Sequence, residues 1–412
     1  PWPRDVHARI LEILTEGGAK VIGQTVFFSE PQIDPGLHFI SELKSAFEDS
    51  SIAAVPESID DLEMVIKASR NLVKNKRDAN GRSAIDQISE YLANSPLRTR
   101  VAEEIDSYIQ VLASAEVALD ADLKLGESMA LANNVVLAMP FIPGTQLGPP
   151  DADLPDYVRA NKLAEDNITD NANMNPDGPG PISMIDTFAP IAAVGEAASG
   201  IGALASIPDV DGGIRSEPLL VNYDGDYYPS MALLLAAKSL NLGVNDIQAV
   251  FGNSVSLGRL NIKTDDKSLM NTFFYSDESA KQAFPVDSFF DVLQGKIPAS
   301  KYKDKVVLIG ATAIGIGDSM VTPINPGMAP VLTLAHSVSS ILNEDFFIQP
   351  SWGMYATLGA FVLVALHLML ALPRMSSVVG FTVTALLFFA FFASEYFMMI
   401  KHGVWIKLML PN

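Results

Sequence analysis

Three runs of almost unbroken apolar residues punctuate the first 350 positions: KVIGQTVFF from Lys20, NNVVLAMPF from Asn133 and YKDKVVLIGAT from Tyr302. A strand with one wet face alternates apolar and polar residues, whereas a continuous apolar run marks a strand covered on both faces. Helix-like segments flank these runs. HARILEILTEGGA places Ile10, Leu11 and Leu14 at helical spacing and stops at Gly17-Gly18. PSMALLLAAKSL predicts a helix with Ser230 near its start, and PVDSFFDVLQG and VLTLAHSVSSILN predict two more. Together these elements predict an α/β domain with a mostly parallel sheet flanked by helices. GGIRSEPLLVNYDGDYYPS alternates around Asp224-Gly225 and predicts a hairpin or an edge feature.

Residues 57–131 follow a different pattern. They are charged, periodic and free of strand-like runs, and Val101, Ile105, Tyr108, Leu112, Ala115 and Leu119 share one helical stripe. We read them as an all-helical insertion, so that the α/β domain comprises residues 1–56 and 132–350. Residues 143–181 are rich in Pro, Gly, Asn and Asp and read as a long surface loop.

Beyond Trp352 the chain turns apolar. Gly353 to Leu372 is twenty residues without a formal charge, and at a rise of about 1.5 Å per residue it matches a hydrocarbon core of about 30 Å. Transmembrane helices are expected over 353–372 and 377–400, with a third beginning at 404–412. The Lys/Arg bias is weak: the first break carries Arg374, the second Lys401 and Lys407. Taken alone it favours the second loop inside, but large flanking domains translocate regardless of it.

This apolar end accounts for the positive mean hydropathy of +0.23. The net charge is -20, and residues 1–350 alone carry -22, with 25 Lys/Arg against 47 Asp/Glu. Such a surface repels phosphate backbones and argues against nucleic-acid partners. There is no cysteine, which excludes disulfides, thiolate metal sites and thiol nucleophiles and leaves the compartment open.

Several residues are candidates for a site. IPDVDGGIR holds Asp209 and Asp211 at alternate positions before two glycines. Two hard oxygen ligands could take a divalent cation there, although the remaining ligands of an EF-hand are missing. The alternative is a turn in which the aspartates bond local amides, with Arg215 pairing with one of the carboxylates. VVLIGATAIGIGDS reads as a strand and glycine-rich turn. It lacks both G-x-G-x-x-G and GK[ST], so Asp318 is read as pointing into the crevice where strand ends meet. Glu30, fixed by Pro31 at the end of the first strand, would share that crevice. His336 and His7 lie in apolar helices and read as packing residues. No nucleophile–base motif is present, and no cofactor is evident beyond the divalent cation.

PWPRDVHARILEILTEGGAKVIGQTVFFSEP, IPDVDGGIRSEPLL, YYPSMALLLAA, KVVLIGATAIGIGDSMVTPINPGM and LAHSVSSIL, in this order before apolar spans, resemble the CHASE2 family. These are extracytoplasmic sensor domains of bacterial transmembrane receptors. The resemblance implies residues 1–350 outside the cytoplasmic membrane, the Pro373-Arg374 turn inside and the Lys401-His402 turn outside. It also implies a span before Pro1 and, after Asn412, an output domain: a class III adenylate or guanylate cyclase foremost, or a Ser/Thr kinase, histidine kinase or diguanylate cyclase. The expected partners are the membrane, an extracytoplasmic ligand or protein, and a second copy in a homodimer. Glu30, Asp209, Asp211, Arg215, Asp318 and His336 are the motif positions carried over as candidate ligand contacts. The family often has an acidic residue inside the first strand, where this chain has Thr25. A competing reading is an accessory membrane subunit that docks partners through its outer domain.

Overall fold

The structure, a computed structural model, describes residues 2–32, 34–73, 79–94, 97–145, 148, 150, 153–169, 180–276, 283–313, 319–350 and 352–406. Asp318 lies outside the described residues, as do residues 407–412 of the expected third span. The chain divides into two compact units. One holds the first five residues and Pro31–Lys124, the other Val6–Glu30 and everything from Leu125 onward.

The first unit is helical, with no strand among its described residues. Helix α2 (Pro35–Glu48) is started by Asp34, whose carboxylate accepts from the Gly36 and Leu37 amides. It packs on α5 (Leu97–Leu119): Lys44 Nζ and Ser41 Oγ both donate to Glu116, at 2.8 and 2.9 Å. Helices α3 (Val55–Val73) and α4 (Ala79–Asn94) pack together, and α3 also meets α5. Little is buried in this unit. Phe39, Leu62, Met64, Val65, Tyr91 and Val111 are all at least half exposed.

The second unit is built on a curled sheet. Strands β13 (Val306–Ile309), β1 (Val21–Gln24), β2 (Val135–Pro143) and β5 (Gly200–Leu204) run parallel, in that spatial order. Their residues point alternately into two cores. Ile22, Val135, Leu137 and Met139 face α1 (Arg4–Glu16) and α6 (Ala121–Ala132), while Val21, Val136 and Ala138 face α9 (Met231–Ser239) and α11 (Pro330–Asn343). Burial on both sides is why the strands read as unbroken apolar runs.

The sheet as a whole is mixed, which corrects the expectation of a mostly parallel one. The far end of β2 pairs antiparallel with β4 (Ile182–Thr187). Beyond it come β7 (Leu220–Tyr223), parallel to β4, and β8 (Asp226–Pro229), antiparallel to β7. A second sheet comprises β11 (Leu260–Lys263), β10 (Ser254–Leu257), β9 (Ile247–Val250) and the short β3 (Ile168–Thr169). A third comprises β14 (Phe346–Phe347), β12 (Leu269–Thr272) and β6 (Ser216–Pro218). The physical reason is the length of β2, whose earlier part pairs with β5 and whose last residues pair with β4, and the short turn that makes β8 antiparallel to β7. Turns of a few residues join only antiparallel neighbours, whereas a parallel pair needs a long crossover. Asp224 and Gly225, both at positive φ, form the predicted two-residue hairpin turn between β7 and β8.

Helix α9 is the axis of the second core. Every residue in it except Lys238 is buried, and Ser230 caps its start by accepting from the Leu233 amide at 3.2 Å. It approaches β5 so closely that a Cβ on Gly202 would lie 2.5 Å from Met231 Cα. Two small helices, α7 (Asp156–Arg159) and α8 (Ala192–Gly195), lie beside each other, and α10 (Phe289–Leu293) precedes β13.

The chain then enters α12 (Gly353–Leu366), which continues through a π-helical turn over His367–Ala371, and returns as α13 (Ser377–His402). Residues 353–374 and 377–401 are long and apolar enough to cross a membrane. His367 Nε2 and Thr384 Oγ1, 3.0 Å apart, tie the two helices together. Val404 and Trp405, where a third span was expected to begin, are in bridge pairing and not in a helix.

Candidate functional site

A buried polar seam joins α11 to the small β6–β12–β14 sheet. Thr333, Ser337 and Ser340 recur at i, i+4 and i+7 on α11 and are all buried, so their hydroxyls must find partners inside the protein. Ser340 Oγ donates to the Phe273 carbonyl and accepts from the Phe273 amide, at 3.1 and 3.0 Å. Ser337 Oγ lies 3.5 Å from Thr272 Oγ1 and donates to Glu217 Oε2 at 3.0 Å. Among the described residues Thr333 Oγ1 has no partner.

Glu217 is the ionisable centre of this seam. Part of the residue still reaches the surface, but its carboxylate lies deep enough that loss of hydration pushes its pKa up to about 7, against the opposing hydrogen bonds from Ser337 and Ser230. Ser230 is also the cap of α9. One carboxylate therefore touches the starts of both β6 and α9 and the middle of α11.

The same sheet leads to the membrane helices. Strand β14 pairs with β12 through Phe346–Thr272 and Phe347–Asn271. The next residue, Ile348, donates its N–H to the Gly403 carbonyl at 2.7 Å and accepts from the Trp405 N–H at 2.9 Å. The segment entering α12 and the segment leaving α13 are thus stitched together at the sheet's edge. In a membrane-crossing hairpin this keeps Gly403 on the same face as Ile348.

Of the six residues predicted from the sequence, Asp318 lies outside the described residues. Asp209, Asp211 and Arg215 do meet. Arg215 Nη1 donates to Asp209 at 2.7 Å and to Asp211 Oδ1 at 2.8 Å, and its Nη2 reaches Asp211 Oδ2 at 2.6 Å. The guanidinium holds the Asp211 carboxyl far below the usual carboxylate range, and the Gly213 amide adds a further bond. Gly212 takes positive φ to close the turn. The carboxylates therefore face a fixed cation, which leaves them poor ligands for a metal ion. Among the described residues no group of three or more metal-ligating side chains forms.

His336 is a packing residue of the seam. Its Nδ1 accepts from the Tyr275 N–H at 3.1 Å, its ring stacks on Tyr275 at 9°, and Phe274 and Phe284 flank it. Burial pushes its pKa down to about 4, so it is neutral at physiological pH. Glu30 is exposed at the exit of β1. Thr25 closes that end of the sheet: its hydroxyl and its N–H both donate to the Ile309 carbonyl, at 2.9 and 3.0 Å. An aspartate there would set a carboxylate against that carbonyl, so the departure at Thr25 substitutes a backbone clasp for an acidic group.

Sequence reasoning missed Glu217, which lies in RSEPLL with nothing to mark it. The available signal was the polar stripe on α11, because buried hydroxyls at helical spacing require polar neighbours from another element.

A family model, the CHASE2 domain, matches residues 1–372. The chain belongs to the CHASE2 family. The match takes in the first unit and the second as far as the first apolar helix, and CHASE2 domains are extracytoplasmic sensors, which fits a sensor carried on membrane helices. No curated protein and no solved structure matches this CHASE2 chain.

Proposed function

We propose that this CHASE2 chain is the periplasmic sensory region and membrane hairpin of a bacterial receptor. It passes a ligand or partner signal through α12 and α13 to a cytoplasmic output domain, a class III adenylate or guanylate cyclase foremost. The observation that carries this reading is the backbone stitch from Ile348 to Gly403 and Trp405. It makes the outer ends of both helices an extension of the sheet that holds Glu217, so a shift in the sensor displaces the helices. A signal further requires that the stimulus bind one arrangement better than the other.

The test is deletion of residues 1–350 in the full receptor, read as output activity with and without periplasmic extract. The proposal expects a changed basal rate and a lost response. Unchanged activity and response would overturn it. For topology, a periplasm-dependent reporter fused after Gly403 should be active.

A second reading has one observation in its favour. The apolar side chains exposed on the helical unit, Met64, Val65 and Tyr91 among them, form the kind of surface that docks a protein. On that reading the chain is an accessory subunit. Met64→Lys with Val65→Glu would then abolish co-purification of its partner, while deleting residues 1–350 would leave any enzymatic output unaltered.

A further inference from the structure

A cavity of about 290 Å³ opens where β5 begins, between α9 on one side and α7 and α8 on the other. This is close to the lower end of ligand-pocket sizes, about 300–1,000 Å³. Two opposite charges line it, Lys238 and Glu196. They form no ion pair with each other or with any other described residue. Lys238 is the single charged residue of a helix that is otherwise buried throughout. A lysine in the last turn complements the helix dipole, but that role does not require it to line a cavity with a carboxylate. The Ser199 hydroxyl also lies on this wall without a side-chain partner.

The walls between these charges are of mixed polarity and braced. Leu234 and Val244 contribute aliphatic surface. The Tyr157 ring packs so tightly on α8 that a Cβ on Gly195 would lie 2.4 Å from it, and its hydroxyl donates to the Pro190 carbonyl at 2.6 Å. Asn161 is fully engaged: it donates to the Tyr157 carbonyl at 2.8 Å and accepts from the Ile201 amide at 3.0 Å. A rigid wall loses little entropy on binding, which favours affinity for a small ligand.

We infer that this cavity binds a small zwitterion, with its carboxylate on Lys238 and Ser199, its ammonium on Glu196 and a short aliphatic body against Leu234 and Val244. Such a ligand meets both charges at once, at the mouth of an open cavity where Glu196 is exposed and Lys238 half-buried, and each contact is a charge-assisted bond. This deepens the proposed sensory function by naming a class of stimulus, and it rests on that reading only for the consequence of binding. The opposite end of α9 is capped by Ser230, on the Glu217 seam.

The test uses the full chain in detergent or nanodiscs. Its thermal unfolding is followed against alanine, β-alanine and γ-aminobutyrate, which separate the two charges by increasing lengths. Propionate and butylamine, which carry one charge each, are the controls. At least one zwitterion is expected to raise the unfolding temperature in proportion to its concentration, and the single-charge controls are not. Lys238→Gln and Glu196→Gln should each weaken binding by about tenfold or more. Gly200→Ala is the narrowing variant. Its new Cβ would meet Asn161 Oδ1, Leu234 Cδ1 and Lys238 Cε at 3.6–3.9 Å, ordinary contact distances that narrow the cavity beside Lys238 without a clash. It should weaken the response while leaving ligand-free stability intact. The inference is overturned if no zwitterion stabilises the wild type, if propionate or butylamine does so equally well, or if Gly200→Ala binds as the wild type does. Zwitterion binding with no change in output would instead overturn the receptor reading and leave the site standing.

Discussion

Ile348 and Gly403 flank the two apolar helices, and the N–H of the first donates to the carbonyl of the second at 2.7 Å. Ile348 is bridged to Val404 in parallel, so the outer ends of α12 and α13 cannot separate without breaking strand pairing. The chain has no cysteine, which makes a direct test clean. Ile348→Cys with Val404→Cys should form a disulfide on mild oxidation, seen as a bridged peptide by mass spectrometry, and the single variants should not. Ile348→Pro deletes the N–H donor. It should abolish transmission to the output domain while the outer domain keeps its unfolding midpoint. Ile348→Ala, which retains the donor, should transmit.

The seam around Glu217 and His336 should be sensitive to pH in two opposing ways. Burial raises Glu217 from 4.5 to about 7. The folded state then holds its proton more tightly than the unfolded one, so this contribution to stability is complete below pH 4.5 and is lost as pH rises toward 7. Burial lowers His336 from 6.5 to about 4. Its contribution is complete above pH 6.5 and is lost as pH falls toward 4. Between pH 4.5 and 6.5 the two offset each other. In urea unfolding at half-unit steps these two groups should therefore add no net slope to the wild-type profile there. Glu217→Gln should unmask a rise with pH, and His336→Asn a fall of about 2–3 kcal/mol. If both variants kept the wild-type profile, neither group would be titrating as described.

The central strands, their helices and the membrane hairpin were legible because each rests on a pattern local in sequence. VVLAM is apolar throughout since alternate residues enter different cores, and Asp224-Gly225 is a turn wherever it occurs between strands. The mixed sheet was not legible, because the pairing of β2 with both β5 and β4 depends on which distant segment reaches each half of one long strand. For the site, Asp209, Asp211 and Arg215 are close in sequence and their clustering followed from that. Glu217 and Ser337 are far apart in sequence and become neighbours only through packing. The cavity at Lys238 is made by residues from four separate segments, which no local pattern brings together.

Arg215 holds both carboxylates of the acidic turn. The expected consequence is that millimolar calcium or magnesium leaves the unfolding temperature of the wild type unchanged. Arg215→Ala removes the internal cation and leaves Asp209 and Asp211 facing each other. That variant should be less stable without added metal and should recover part of the loss in calcium, as two adjacent carboxylates become available ligands. Differential scanning fluorimetry with and without chelator reads both outcomes. A wild-type protein stabilised by calcium would place a cation where the guanidinium now lies.

Gly200 and Gly202 lie on the same face of β5, two residues apart, and differ in what surrounds them. A Cβ at Gly200 has only ordinary contacts, whereas one at Gly202 would lie 2.5 Å from Met231 Cα and 2.8 Å from Met231 N. The neighbour at Gly202 is backbone at the start of α9, and it yields only if the whole helix moves off the sheet. Gly202→Ala should therefore cost about 1–3 kcal/mol, the range for overpacking a filled core. Gly200→Ala, at the cavity, should fall within about 1 kcal/mol of the wild type, with a gain in stability where the restricted unfolded chain dominates. Urea midpoints measured side by side give the comparison. Equal losses at the two positions would mean that α9 does not seat against β5 as closely as described, and that Gly200 faces packed side chains and not an open cavity.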